Sequence, residues 1–435
     1  MKLKLTALIL AGACVMPALA LDRAHFIELN KKARELSQQK DWKGLREALI
    51  EIGREMPAPT PIYLLRMASV EARLGNNAEA IGWMKKYAAM GLKYDVAQDD
   101  DLKPLLADPA FAPVAEAMKS RTKPVQKAEA VCAIPLPDLM PEDLTFDQGA
   151  KTFVVSSIQH HSLYRVTFPK AGAAECGLQE ISLEAQAKRW PTLAVSYDAK
   201  RNLLWMTAAA MPGFTGFAKE DEGKSALFAI DGESGKVVRR FDLTPGEAAV
   251  LGDMSVAADG AVYVSDSERG GVYRVQGDVA TAKLEKIAGG FFSPQTPALA
   301  ADGKRLFVAD YSMGIAVVDL VKENPPGQLT YLPHPESVAV TGLDGLYLAG
   351  DSLIGIQNGT EPERIVRYHL NPAQTAITSA EVVEQSTERL VDPTHVVGLN
   401  GWLYATANVG WNKIDDHGQL KAGEHFTAPV LLRFR

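Results

Sequence analysis

Three acidic residues stand at matching places in the second half of the chain, each at the start of a β-rich run. Glu142 precedes "DLTFD", Asp253 precedes "MSVAADG" and Asp344 precedes "GLYLAG". Carboxylates aimed at one point repel one another, so together they need a cation or a shared proton. Calcium, a hard divalent ion, suits these three ligands with added amide oxygens from Gln295 or Asn358. The pattern predicts a metal site formed by Glu142, Asp253 and Asp344.

An ion bound there polarises a carbonyl while a neighbouring side chain takes a proton from water. The candidate catalytic residues are Asp344, His395 and His160. Candidate ligand-binding residues lie at the strand starts or in loops expected on the same face: Gln295, Asp310, Tyr311, Asn358, Asn408 and Trp411. The alternative is that such polar residues cap a central channel through ordered water.

The elements that position these residues are predicted by a repeat of period two. Runs such as "TFVVSSI", "AVYVSDS" and "RLFVADY" each follow a turn with Gly, Asp or Asn. The position before or at each inner strand recurs every 42 to 61 residues, at Glu142, Thr192, Asp253, Gln295, Asp344 and Thr394. A four-stranded propeller blade needs ~40–50 residues. The sequence predicts a six-bladed β-propeller over residues 131–435.

The end of the chain leaves the sixth blade one strand short. The run "VCAIPL", residues 131–136, precedes the first inner strand and can supply the missing one, which removes two exposed sheet edges. Cys132 and Cys176 then fall near the starts of outer strands in neighbouring blades. We expect these cysteines either to form a disulfide that braces the ring closure or to stay as buried apolar groups.

The first part of the chain has helical periodicity instead. In "FIELNKKARELSQQK", Phe26, Leu29, Ala33 and Leu36 share one stripe, and later segments repeat the pattern. Small residues stand where tetratricopeptide repeats use them: Gly44, Ala48, Gly75, Ala78 and Ala80. This segment resembles such repeats over about two hairpins. The fold class is therefore an N-terminal α-helical, tetratricopeptide-like domain (21–120), a polar linker (121–130) and an all-β propeller, and the alternative is a small helical bundle that caps the propeller.

The first twenty residues predict export. Lys2 and Lys4 precede an apolar run that ends in "ALA" at residue 20, which is typical of a cleaved signal peptide. A lipoprotein anchored through Cys14 is the less favoured alternative, and no integral membrane segment is predicted in the mature chain. The net charge is −7, or −9 without the two signal lysines, which argues against a nucleic-acid partner. We expect a periplasmic or secreted protein.

Several motifs resemble the six-bladed propellers of the gluconolactonase and regucalcin superfamily. "PEDLTFD" is similar to that family's first-blade strand, which makes Glu142 a metal ligand by resemblance. "LDGLYL" places Asp344 like the family's site Asp before Gly. "SPQTPALAADGKRLFVADY" is similar to a third family strand, with Gln295–Thr296 where the family has a liganding Asn. The resemblance covers roughly the last 300 residues and implies a calcium-dependent lactonase.

The sequence therefore predicts a propeller that binds a small molecule at its channel mouth. Its favoured activity is metal-assisted hydrolysis of a lactone or ester. The alternative is a non-catalytic scaffold that binds protein partners through the helical domain and the propeller, and a third is a sensor that binds a small molecule without turnover.

Overall fold

The computed structural model describes residues 22–121, 123–243, 246, 248–324 and 329–435. The predicted signal peptide, residues 1–20, and Cys14 lie outside the described residues. The described part contains a helical region followed by six antiparallel sheets. The predicted fold, a six-bladed β-propeller after N-terminal helices, is confirmed.

The helical region consists of five α-helices in which each helix packs against the next one in the chain. Its α-helices are α1 (Arg23–Gln38), α2 (Trp42–Glu55), α3 (Pro61–Arg73), α4 (Asn77–Ala89) and α5 (Ala112–Ser120). Two short 3₁₀ turns, Val96–Gln98 and Lys103–Ala107, precede α5. The side chains of Asp22, Asp41 and Thr60 accept hydrogen bonds from the first backbone N–H groups of α1, α2 and α3. These caps fix where the three helices begin.

Each of the first five blades is built from four consecutive strands, with one two-residue strand added at the edge of the fifth. Blade 1 comprises β3 (Leu144–Asp147), β4 (Thr152–Ser157), β5 (Ser162–Thr167) and β6 (Gly177–Glu180). Blade 2 comprises β7 (Thr192–Asp198), β8 (Leu203–Ala209), β9 (Ser225–Asp231) and β10 (Val237–Asp242). Blade 3 comprises β11 (Leu251–Val256), β12 (Val262–Asp266), β13 (Gly271–Val275) and β14 (Leu284–Gly289).

Blade 4 comprises β15 (Pro294–Leu299), β16 (Arg305–Asp310), β17 (Gly314–Asp319) and β18 (Thr330–Tyr331). Blade 5 comprises β19 (Leu343–Ala349), β20 (Ser352–Gln357), β21 (Arg364–Leu370) and β22 (Ile377–Gln385), with β1 (Val125–Gln126) added beside β22. Blade 6 comprises β23 (Val396–Leu399), β24 (Trp402–Ala407), β25 (Val430–Phe434) and β2 (Glu129–Ala133). The innermost strands contact one another in ring order, from β3 through β23 and back to β3.

The ring is closed by a strand from before the first blade. Strand β2 pairs antiparallel with β25, the last strand of the chain. Cys132 on β2 is disulfide-bonded to Cys176, with the two Cα atoms 5.3 Å apart. The backbone N–H of Cys176 also donates to the carbonyl of Ala133 at 2.9 Å. Blade 6 is thereby joined to blade 1 by main-chain pairing and by a covalent bond.

The predicted linker, residues 121–130, contributes strand β1 and the first residues of β2. Its backbone is held by Glu384 on β22, a fully buried carboxylate. Glu384 accepts from the backbone N–H groups of Lys127 and Ala128, both at 3.0 Å. The same carboxylate accepts from Thr387 Oγ1 at 2.7 Å and from Arg389 Nε at 3.1 Å. One side chain therefore ties the segment between the helices and the propeller to blade 5.

Replacing Glu384 with alanine is expected to lower the free energy of unfolding by about 3 kcal/mol, because several buried donors lose their acceptor at once. Glu381 on the same strand is the matched control, since it is half exposed and pairs with Lys127 at the surface. Glu381→Ala should change stability by less than about 0.5 kcal/mol. Urea unfolding measures both, and equal effects of the two substitutions would contradict the anchoring role of Glu384.

The helices pack against the loops of blades 4 and 5. Phe26 of α1 meets Phe292 with ring centroids 5.1 Å apart, and Met313 belongs to the same buried cluster as the helix residues. Arg364 at the start of β21 is buried, and its Nη1 donates to the carbonyls of Met90 and Gly91 at 3.3 and 3.4 Å. The helical region thus covers one side of the propeller face that carries the starts of the inner strands.

Candidate functional site

The inner strands share an irregularity at the same point. In blades 2 to 5 the register between the first and second strands shifts at Leu193–Ala194, Gly252–Asp253, Gln295–Thr296 and Asp344–Gly345. Such β-bulges place two residues opposite one and redirect their side chains. In blades 1 and 6 the corresponding pairs, Glu142–Asp143 and Thr394–His395, directly precede the first residues that pair, Leu144 and Val396.

The second residues of the pairs in blades 1, 3 and 6 form a cluster inside the ring, and the second residue of the pair in blade 4 hydrogen-bonds to it. Asp143, Asp253 and His395 each offer one ligand atom, and these atoms all lie within 4.8 Å of one another. The three residues are 0%, 6% and 8% exposed. His395 Nε2 lies 3.1 Å from Asp143 Oδ1. Thr296, at the same position in blade 4, donates to Asp253 Oδ2 at 2.6 Å and lies 3.5 Å from His395 Nδ1. Blades 1, 3, 4 and 6 therefore converge on one buried point.

Asp143 is held rigidly by the backbone. Its Oδ1 accepts from the N–H of Leu144 at 2.6 Å, and its Oδ2 accepts from the N–H of Val195 in blade 2 at 3.0 Å. Both oxygens are therefore fixed by strands of the scaffold, which keeps the carboxylate aimed at His395 and Asp253.

The first residues of the pairs flank this cluster. Glu142 accepts from the indole Nε1 of Trp411 at 2.5 Å. Asp344 accepts from Asn358 Nδ2 at 2.6 Å, and the hydroxyl of Tyr311 donates to Asn358 Oδ1 at 3.1 Å. The predicted residues Glu142, Asp344, Asn358, Tyr311 and Trp411 thus form the rim of the cluster.

Burial and like charge raise the carboxyl pKa values throughout the site. Burial raises the pKa of Glu142 to about 8, with the charges of Asp253, Asp392 and Asp143 adding to it, and raises the pKa of Asp253 to about 6. The pKa values of Asp143 and Asp344 are also raised, first by burial and then by the other carboxylates. The acids therefore compete for protons near neutral pH.

The imidazole in the cluster is neutral. Burial lowers the pKa of His395 to about 4, so its ring carries one proton at pH 7 and one nitrogen is left with a lone pair. A neutral imidazole is the form that ligates a metal ion. His395 is thus suited to metal ligation and is a weak proton acceptor at neutral pH.

The donor set fits a divalent cation. Two carboxylates and one neutral imidazole facing one point match the ligands of zinc, manganese or iron. Calcium, the favoured ion from the sequence, takes six to eight oxygen ligands, and the three-residue cluster offers a nitrogen among its donors. Glu142 and Asp344 supply further oxygens at the rim. The buried Asp143, Asp253 and His395 therefore form a group that could hold a metal ion.

Two other predicted residues, Asp310 and Asn408, have hydrogen-bond partners in neighbouring loops. Asp310 is fully buried and accepts from the backbone N–H groups of Phe292 and Ser293 and from the hydroxyl of Tyr331. Asn408 donates to Thr427 Oγ1 and to the carbonyl of Ala428. These contacts hold loops, so neither side chain is directed by them toward the cluster.

Two further predicted residues also have local partners. His160 lies 3.2 Å from Asp138 Oδ1 and makes a ring contact with Tyr164, which places it beside the third strand of blade 1. Gln295 Nε2 donates to Ser293 Oγ at 3.0 Å. The structure therefore brings His395, Asp253 and the rim residues together, but it pairs His160 with residues outside the cluster.

Sequence reasoning missed Asp143 and Thr296. Asp143 is adjacent to the predicted ligand Glu142, and Thr296 is adjacent to the predicted Gln295. The signal was present in blades 1, 4 and 6, where the inner strand starts with two consecutive polar residues, Glu142–Asp143, Gln295–Thr296 and Thr394–His395. Asp253, the second residue of the bulge in blade 3, is the one cluster residue that a bulge positions.

Two long loops cover the opposite side of the face from the helices. The insertion in blade 2, residues 210–224, meets the blade 6 loop, residues 408–429, where Gln419 Nε2 donates to the carbonyl of Gly213 at 3.2 Å. Phe214 and Trp411 are in edge-on ring contact, with centroids 6.2 Å apart. Trp411 also donates a hydrogen bond to Glu142. The covering formed by these two loops therefore extends to the rim of the cluster.

Comparison with known proteins gives likenesses in structure alone. A search of family models found no match, and a search of curated proteins found none. A glucose dehydrogenase described as a putative oxidoreductase from Thermus thermophilus is 14% identical, with a TM-score of 0.47 over 71% of this chain and 99% of that one. A luciferin-regenerating enzyme is 13% identical, with a TM-score of 0.47 over 72% and 95%. The calcium-binding protein regucalcin from Agrobacterium tumefaciens is 15% identical, with a TM-score of 0.46 over 71% and 93%.

The resemblance predicted from the motifs is to the group that contains regucalcin, which is among these structures. The fold itself rests on the six sheets described above. These sheets and the cluster define the protein as a six-bladed β-propeller with N-terminal helices and a buried carboxylate–imidazole group inside the ring. Among the described residues, no helix is long and apolar enough to cross a membrane.

Proposed function

We propose that the protein is a divalent-metal-dependent hydrolase that acts on a lactone or a related ester at the channel mouth. The observation that carries the proposal is the buried group of Asp143, Asp253 and His395, surrounded by further carboxylates with raised pKa values. Burying several carboxylates close together costs free energy unless a bound cation or protons neutralise their negative charge. A scaffold that only binds partners has no need of such a group.

Each residue has a role that follows from its contacts. Asp143, Asp253 and His395 would hold the ion, which when bound supplies a Lewis acid for the carbonyl and lowers the pKa of a water molecule. Glu142, whose pKa is raised to about 8, would take a proton from the attacking water at a carboxylate oxygen and return it to the alkoxide oxygen that leaves as the acyl C–O bond breaks. Trp411 keeps that carboxylate oriented. Asn358, held by Tyr311, fixes Asp344 at the rim. The helices and the two long loops limit the access of bulk water.

The proposal is tested by the metal content of the purified mature protein and by its melting temperature with and without chelator. We expect about one divalent ion per chain, a melting temperature that falls on chelation, and recovery when the ion returns. An ion at 100 times its dissociation constant adds about 2.7 kcal/mol of stability. A panel of lactones and aryl esters should show turnover that chelation abolishes.

Asp138→Asn is the matched control for substitutions within the cluster, because it removes a carboxylate that lies outside the cluster and contacts His160. This variant should keep its metal and its turnover. A protein that purifies without metal, takes up none of calcium, manganese or zinc, and melts at the same temperature with and without chelator would refute the proposal. Pull-down experiments with the helical region would then test the scaffold alternative. Export remains a prediction from residues 1–20.

A further inference from the structure

A cavity lies between the helices and the propeller, separate from the carboxylate cluster. Its volume is about 710 Å³, within the range of small-molecule sites. Helices α1 and α3 form one wall, and the loops of blades 4 and 5 around Tyr311, Gly342 and Gly359 form the other. Ligand sites commonly occur at such junctions between domains.

Much of the wall of this cavity is apolar and open to solvent. Ile27 and Ile62 are 50% and 71% exposed, which is unusual for large aliphatic side chains that share one cavity. Phe26, Phe292 and Met313 continue the apolar wall toward the propeller. A hydrocarbon group placed there would bury these side chains and gain the corresponding hydrophobic free energy.

The polar side of the cavity is cationic. Lys31, Arg34 and Arg66 line it, and no Asp or Glu occurs among the described residues that do so. Arg66 Nη1 donates to Asn30 Oδ1 at 2.8 Å, and the ion pairs found among the described residues include neither guanidinium. Burial and the nearby charge of Arg34 lower the pKa of Arg66. Arg34 and Arg66 therefore influence each other electrostatically in one cavity, and neither guanidinium is ion-paired among the described residues, in a protein whose net charge is negative.

We infer that this cavity binds an amphipathic anion, with its carboxylate or phosphate head between Arg34 and Arg66 and a single hydrocarbon chain against Ile27, Ile62, Phe26 and Phe292. Guanidinium groups bind such heads through paired, charge-assisted hydrogen bonds. The concave shape and the volume suit a chain of medium length rather than the flat surface of a folded partner. The inference does not depend on hydrolysis at the carboxylate cluster.

The location of the cavity connects it to the cluster. Tyr311 lines the cavity, and its hydroxyl donates to Asn358, which in turn donates to Asp344. A bound anion would therefore lie beside the hydrogen-bonded rim of the candidate metal site. The cluster itself contributes no residue to the cavity wall.

The experiment is isothermal titration of the full mature protein, in chelator, with hexanoate, octanoate and decanoate below their critical micelle concentrations. Each added methylene that remains inside the cavity should tighten binding by about fourfold. Octyl phosphate should bind as octanoate does, and octanol should bind at least about tenfold more weakly. Chelator keeps the measurement independent of the candidate metal site.

Three variants identify the site. Arg34→Gln and Arg66→Gln should each weaken decanoate binding by about tenfold or more, and Ile62→Glu should do the same by placing a like charge in the cavity. Arg54→Gln, on the exposed surface of α2 and outside this cavity, is the matched control. Asp253→Asn should leave decanoate binding unchanged.

Two outcomes would overturn the inference. One is the absence of binding by the wild-type protein up to millimolar decanoate. The other is binding that ignores chain length or that survives both arginine substitutions, since this would place the anion elsewhere on the protein. Because Ile62 is largely exposed, Ile62→Glu does not threaten folding, and circular dichroism of each variant confirms this.

Discussion

Replacing Asp253 with asparagine is expected to weaken the binding of a divalent ion by at least about 100-fold and, at pH 8, to stabilise the metal-free protein. The first effect follows because one of the charged ligands is lost. The second follows because burial makes the ionised form of Asp253 costly, and because its charge adds to the raised pKa values of Glu142, Asp143 and Asp344. Asparagine can still accept from Thr296 and can direct its amide N–H toward the cluster, so the local contacts survive.

The pH dependence has a definite sign. The folded state raises the carboxyl pKa values, so it binds protons more tightly than the unfolded chain, and stability falls as pH rises through the folded values. For Asp253 and Glu142 these are about 6 and about 8. His395, with a folded pKa lowered to about 4, acts oppositely, but only below pH 6.5. Between pH 6.5 and 8.5 the metal-free protein should therefore lose stability.

The size of the effect follows from the shift of the Asp253 pKa from 3.8 to about 6. Such a shift corresponds to about 3 kcal/mol, and sharing of protons among the coupled acids reduces it, so we expect Asp253→Asn to gain about 2 kcal/mol at pH 8. Urea unfolding in chelator at pH 6.5 and 8.5 measures the gain, and metal titration measures the affinity.

Asp138→Asn again serves as the control, since it removes the same charge outside the cluster. It should change neither quantity. The metal-site interpretation would be wrong if Asp253→Asn bound the ion as tightly as the wild-type protein. The electrostatic interpretation would be wrong if the variant lost stability in chelator at pH 8.5.

Removing the disulfide with Cys132→Ser and Cys176→Ser together is expected to lower the free energy of unfolding by about 4 kcal/mol. The bond closes a loop of 44 residues, and constraining a loop of this length in the unfolded chain has about that effect. The bond also joins the closing strand β2 to blade 1, so its loss frees the point where the ring is sealed.

Urea unfolding of the double variant, beside the wild-type protein with and without reductant, measures this contribution. The reduced wild-type protein should resemble the double variant, and reductant should leave the variant unchanged. If the wild-type protein with reductant, the wild-type protein without reductant and the double variant all unfolded at the same urea concentration, the prediction would be wrong. Strand pairing alone would then hold the ring closed.

The two halves of the molecule differ in how much the sequence predicted. A β-rich run that follows a turn recurs six times in the sequence. The number of blades and the approximate start of each inner strand could therefore be predicted from this repeat alone. The strand that closes the ring was predicted near residues 131–136 and is found at Glu129–Ala133. The helices were predicted from their apolar stripes, although the tetratricopeptide-like character remains a prediction.

The candidate site was predicted only in part. Asp253 and His395 were identified because strand starts recur, and the structure places both in the cluster. Glu142 and Asp344 were predicted as ligands, and they are found bound to Trp411 and Asn358 at its rim. His160 was predicted from its loop, and the structure places it beside Asp138 and Tyr164, which are outside the cluster.

The sequence by itself determined the repeat, and with it the ring of six blades and the positions from which acidic and histidine side chains could approach the channel. Only the tertiary structure decided which side chains enter the cluster, because a bulge, as at Asp253, or a position just before strand pairing begins, as at Asp143 and His395, sets the direction of a side chain without changing the apolar period. The tertiary structure also decided how the helices and long loops cover the propeller face. Contacts between helices, long loops and blades join residues far apart in sequence, and local spacing does not record such contacts.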